Sequence, residues 1–132
     1  MTDRSSLQAF AISALRFVAG AMFTFHGAQK LFGVLGFPKL GMWSQLWFGG
    51  VIELVCGILI ALGLFTRPAA LLASGTMAVA YFQFHWKLAF DGLKFLPIVN
   101  AGEPAVLYCF IFLLFAVAGA GAYSLDANRG RS

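Results

Sequence analysis

The chain has 132 residues, of which 61% are hydrophobic and only 11% charged, against about 25% charged in an ordinary soluble domain. A soluble fold of this length could bury a core but could not cover the apolar surface left over, so the composition points to one integral membrane domain, residues 1–132. The net charge of +4 is dispersed rather than gathered into a basic block, which excludes nucleic acid as a partner.

Apolar segments follow at residues 9–32, 46–65, 68–86 and 104–123, each near the roughly 20 residues that a hydrocarbon core about 30 Å thick requires. Backbone amides find no water partners in lipid, so the spans must be helices. The expected fold is all-α, a polytopic antiparallel bundle of four transmembrane helices in the lipid bilayer. Arg16 interrupts the first run and no small-residue cleavage site follows it, so the segment reads as an uncleaved span rather than a signal peptide. The short "FTRP", Phe65 to Pro68, makes the second and third helices an antiparallel hairpin, with Pro68 in a first turn.

The other connections, "GVLGFPKLGMWSQ" and "KLAFDGLKFLPIVNAGE", are longer and still aromatic, and are expected at the interface or over the bundle mouth. Arg4, Arg67, Arg129 and Arg131 share the face of the termini; Lys30, Lys39, Lys87 and Lys94 share the other. Discounting Lys30 as buried and paired tilts this balance toward cytoplasmic termini in a bacterial-type inner (plasma) membrane. Cys56 and Cys109 lie in separate apolar runs without ligand or redox spacing, and read as small buried hydrophobes.

Ionisable residues inside a membrane are costly and face the bundle interior, so each is a site candidate. At about 1.5 Å rise per residue, His26 lies roughly 9 Å below the end of the first helix and Glu53 roughly 10 Å below the start of the second, on the same side. Lys30 is shallower, but helical side chains lean toward the N-terminus, which aims its ammonium at Glu53. Arg16, Gly20, Gly27 and Lys30 share one stripe with His26 beside it, and Gly49, Glu53, Gly57 and Ala61 repeat every four residues on the second helix. His85 and Glu103 fall on the same side of the bundle. The candidate ligand-binding pocket is therefore His26, Lys30, Glu53, His85 and Glu103, with no metal and no assigned catalytic residue.

Each residue also has a structural reading: snorkelling for Lys30, helix-packing glue for Glu53, a hydrogen-bonded core histidine for His26, interfacial anchoring for His85 and N-terminal capping for Glu103. Arg16 points the opposite way, toward Asp126 or the headgroups. Haem ligation by His26 and His85 is disfavoured by their unequal depths.

The pieces "HGAQKL", "LGLFTRPAA" behind Glu53, "NAGE" and the terminal "GAGAYSLD" resemble, in this order, the DoxX family of small four-helix membrane proteins. Ala101 stands where the family usually carries a second glycine, and Pro104 where it carries a small or polar residue. The resemblance implies kinship with the membrane subunit of thiosulfate:quinone oxidoreductase, with members of a mycobacterial redox complex, and more distantly with receptor-assembly chaperones. The expected function is thus a membrane subunit of a quinone- or thiol-linked redox system, an oxidoreductase subunit if enzymatic, with a quinone or lipid-like molecule in the pocket and redox partner proteins. The alternative is a non-enzymatic scaffold or assembly factor whose polar cluster only fixes helix packing. A transporter is less well supported without broken helices or repeats, although a homo-oligomer would permit one.

Overall fold

The computed structural model describes residues 3–38 and 40–130, so Lys39 and Arg131 lie outside the described residues. Those residues form helices without a strand. Helix α1 (Arg4–Phe32) begins on Asp3, whose carboxylate accepts the Ser5 amide at 3.2 Å and the Ser5 hydroxyl at 2.6 Å. It ends at Gly33, in the left-handed conformation that glycine adopts without strain. Helix α2 (Gln45–Leu62) starts on the Ser44 hydroxyl and ends at Gly63, where φ is 70°. Helix α3 (Thr66–Ala80) runs on into a π-helical turn, Tyr81–Trp86. After the short α4 (Pro97–Asn100) come α5 (Glu103–Ala118) and the short α6 (Leu125–Asn128).

Small residues decide which helices touch. A Cβ on Gly20 would stand 2.5 Å from the Ala61 amide, one on Gly27 2.4 Å from the Leu54 amide, and one on Gly57 2.5 Å from Thr24 Oγ1. Rising numbers on α1 thus meet falling numbers on α2, and the two pack antiparallel with backbones in contact, as small-xxx-small seams do. Helix α3 pairs with α5 in the same sense: Arg67 donates to the Val117 carbonyl, Ser74 to the Cys109 carbonyl at 2.8 Å, and the Tyr81 ring lies on Gly102. Larger side chains join the two pairs, with Phe23 of α1 lying 4.8 Å from Phe112 of α5 between ring centroids. Phe23, Ile60, Phe112 and Phe115 are fully buried, while Phe10, Phe17, Phe110 and Val117 face outward. An exterior of this kind suits lipid.

Among the described residues two helices, α1 and α2, are long and apolar enough to cross a membrane; α5 is apolar but has 16 residues. The fourth apolar segment stops being helical at Ala118 rather than at Tyr123. Gly119, at φ 86° and ψ −173°, breaks the helix, and Arg16 explains why the chain beyond can stay irregular. Its buried guanidinium donates to the carbonyl of Ile60 at 3.0 Å, which also accepts the Gly63 amide, and to those of Ala120 at 2.5 Å and Tyr123 at 2.9 Å, tying the irregular segment to the end of α2.

Arg16, expected to reach Asp126 or the headgroups, lies within electrostatic range of Asp126, whose own hydrogen bonds go elsewhere. The Asp126 carboxylate accepts the Phe65 and Thr66 amides, each at 2.9 Å, and so caps α3, whose own N-cap residue Phe65 offers no side-chain acceptor. The terminal segment thus returns to the α2–α3 turn, where the Asp126 amide also bonds the Gly63 carbonyl at 2.8 Å. A Cβ on Gly63 would fall 2.4 Å from Ser124 Cβ, so this turn needs glycine for space as well as for φ.

Burial pushes the Asp126 carboxyl up, but the two amides and the Arg129 charge outweigh it and hold it below the usual carboxylate range. A depressed folded pKa contributes stability that is complete above the unfolded value and is lost as pH falls through the folded one. Wild-type stability in detergent is expected to drop on acidification below roughly pH 4. Asp126→Asn should cost about 1–2 kcal/mol at pH 7 and flatten that drop, as thermal melts across pH will check.

Candidate functional site

Lys30, in the last turn of α1, reaches across the glycine seam to Glu53 in the middle of α2, with Nζ 2.6 Å from Oε1. Gly50 makes the approach possible, because a Cβ there would stand 2.8 Å from Lys30 Cβ. The side chain leans toward its own N-terminus, down toward the carboxylate. Glu53 is the more deeply shielded partner, its side chain 3% exposed against 20% for Lys30. The pair is a charge-assisted hydrogen bond of the strong kind, made where water cannot compete.

Only one carboxylate oxygen is used. Among the described residues, neither the buried Glu53 Oε2 nor the buried hydroxyl of Tyr108 on α5 has a hydrogen-bond partner. The phenol lies within electrostatic range of Glu53 without bonding it. Its ring stacks on Phe112 with centroids 5.5 Å apart and packs against Phe23 at the same distance.

His26 departs from expectation: it does not face Glu53, but lies exposed on α1 with its ring perpendicular to Tyr108, centroids 6.0 Å apart. One position before Gly27 of the glycine stripe, the histidine is turned toward α5, whereas Lys30 is turned toward α2. His85 is half-buried in the π-helical turn. Glu103 is exposed in the first turn of α5, beside a recess of about 330 Å³ walled by Leu96, Pro97, Ile98, Val106 and Leu107. Among the described residues, no hydrogen bond or ion pair joins either to Lys30 or Glu53. The five candidates therefore separate into one ion pair, one histidine packed edge-on against Tyr108, and two residues at the periphery. Asn100 of "NAGE" serves the fold, accepting the Gly102 amide at 2.9 Å and donating to the Lys94 carbonyl at 2.9 Å and the Tyr81 hydroxyl at 3.1 Å.

Lys30 and Glu53 also line a groove of about 810 Å³ between α2 and α3, with walls that include Leu46, Ile52, Leu71, Leu72, Val79 and Phe84. Gly49 and Gly75 lie in those walls with nothing within 4 Å of where a Cβ would be, so they widen the groove rather than bring helices together. Gly49 thus lies apart from the packing role that its four-residue spacing from Glu53 suggested.

These features define a small helical membrane protein with a buried ion pair in the wall of an apolar groove. The chain belongs to the DoxX family, whose profile matches residues 11–86 and so takes in His26, Lys30, Glu53 and His85 but ends before Tyr108. A protein of Haemophilus influenzae described as uncharacterised is 40% identical over 136 aligned positions, covering 96% of each chain. No solved structure matches.

Proposed function

We propose that this protein is a multi-pass subunit of a redox-linked system in the bacterial inner membrane, and that the groove between α2 and α3 binds a quinone or similar lipid-like molecule. The observation that carries this reading is the Lys30–Glu53 pair set in the wall of an otherwise apolar groove. Ligand sites are concavities of about 300–1,000 Å³ with apolar walls and a few convergent polar groups, and this groove has both properties. Lys30 and the unpartnered Glu53 Oε2 would hold the polar head, and the leucines and Phe84 would take the tail. The redox connection comes from the family resemblance.

In this reading all four long helices cross the bilayer. Helix α3 with its π-helical turn is long enough, and α5, at about 24 Å, is accommodated by local thinning. With Lys30 held by Glu53, the sequence count of arginines on the side of the termini exceeds that of the remaining lysines on the other, which favours termini in the cytoplasm.

The test is titration of the purified protein in mild detergent with menaquinone, followed by quenching of its tryptophan fluorescence. Gly75→Leu, whose Cβ would stand in open space, should project into the groove, leaving the melting temperature little changed while weakening binding about tenfold or more. Equal binding by the wild type and this variant would remove the groove from consideration. The scaffold reading draws on the position of the same ion pair along the α1–α2 glycine seam. It expects no saturable menaquinone binding and, in affinity capture from native membranes, varied clients in place of redox proteins.

A further inference from the structure

The Lys30–Glu53 pair leaves hydrogen-bonding capacity unused on both of its members. An ammonium carries three donors, and Lys30 uses one of them on Glu53 Oε1. A carboxylate accepts through both oxygens, yet Oε2 is buried with no partner among the described residues. A charged acceptor left in that condition is costly, and no donor in the groove wall reaches it. Two other side chains of that wall donate elsewhere. Thr76 gives its hydroxyl proton to the Leu72 carbonyl at 2.8 Å, and Gln45 gives an amide proton to Gln83 at 2.5 Å. The last torsion of a glutamate side chain is broad and two-fold, so the carboxylate can turn its idle oxygen to the groove that Glu53 lines while the other keeps Lys30. The inner end of the groove therefore offers a donor and an acceptor from one ion pair.

We propose that the groove selects the reduced, hydroxyl-bearing form of its ligand, a quinol, over the corresponding quinone; this rests on the groove being the quinone site proposed above. A quinol hydroxyl satisfies both members of the pair at once. Its oxygen accepts from Lys30 Nζ and its O–H donates to the Glu53 carboxylate. A quinone carbonyl only accepts, so it leaves the second carboxylate oxygen unbonded and sets its own lone pairs against it. Sites built to bond a hydroxyl reject the analogue that lacks one, because their buried polar group is then left unpaired. The apolar walls, by contrast, meet the same rings and tail in either form and do not discriminate. Binding moves no electron and leaves the hydroxyl proton on the quinol. A tenfold preference for the reduced form would raise the midpoint potential of the bound two-electron couple by about 30 mV. The groove thus draws quinol rather than quinone from the bilayer.

The test compares the two forms of one molecule. Protein immobilised on resin in mild detergent is equilibrated under argon with menaquinone, and separately with the same menaquinone reduced by borohydride; the bound fraction is extracted and measured by chromatography. The quinol is expected to bind about tenfold or more tightly than the quinone. Glu53→Gln keeps a carbonyl oxygen for Lys30 but puts an amide donor in place of the free oxygen, so the ratio should fall to one or reverse. Equal or tighter binding of the quinone by the wild type overturns the selection and leaves the groove reading standing. No saturable binding of either form removes the groove reading and the selection with it. A quinol preference that survives in Glu53→Gln overturns the role given to Glu53, and the wild-type ratio decides the selection even where that variant does not fold.

Discussion

Gly27→Leu is expected to prevent α1 from seating on α2. The position of its Cβ falls 2.4 Å from the Leu54 amide, 2.7 Å from the Gly50 carbonyl and 2.8 Å from Leu54 Cα, all backbone atoms that cannot swing aside. Relief requires the helices to separate along the seam, and the Lys30–Glu53 contact one turn further on would open with them. The cost should be at least about 3 kcal/mol, seen in detergent as a large fall in melting temperature or as failure to recover folded protein. Gly75→Leu is the control, because on α3 the added Cβ has nothing within 4 Å and the side chain starts in the open groove. If Gly27→Leu melted like the wild type, the seam drawn here between α1 and α2 would be wrong.

That seam was readable in the sequence because its signal is local and periodic: Arg16, Gly20, Gly27 and Lys30 fall on one helical stripe, and all but Lys30 are fully buried. Lys30 and Glu53 could be paired from depth and from the lean of helical side chains alone. The turn at "FTRP" was legible from length and Pro68. What the sequence did not disclose depends on the packing of one helix against another. Tyr108 sits in "LYCFIFLLF", where nearly every residue is apolar and no polar face marks which way the helix turns; only the spacing of Ala105, Tyr108, Phe112 and Phe115, now seen buried, could have singled it out. His26 was placed with Lys30 because the two lie one turn apart, yet the angular step between them is enough to give one to α5 and the other to α2. The early end of α5 and the capping of α3 by Asp126 arise from a return of the chain over sixty residues, which periodicity cannot report.

Lys30→Met is expected to destabilise the protein by about 3–5 kcal/mol, because it strands a carboxylate whose side chain is 3% exposed. Glu53→Met should cost less: the ammonium left behind is 20% exposed on a flexible stem near the end of α1 and can turn toward the headgroups. Combining the two changes should return most of the lost stability, since apolar side chains of similar length replace a buried pair with little net cost. A cycle of the four proteins by denaturant unfolding in detergent measures this, and additive losses in the double variant would show that the two groups do not act on each other. The double variant also separates the proposed roles of the pair. If Lys30 and Glu53 serve only to hold α1 against α2, a protein that has regained its stability should behave as the wild type in every respect. If they face a ligand, the same stable protein should no longer bind menaquinone, because the groove keeps its shape and its apolar walls but has lost the charges at its inner end.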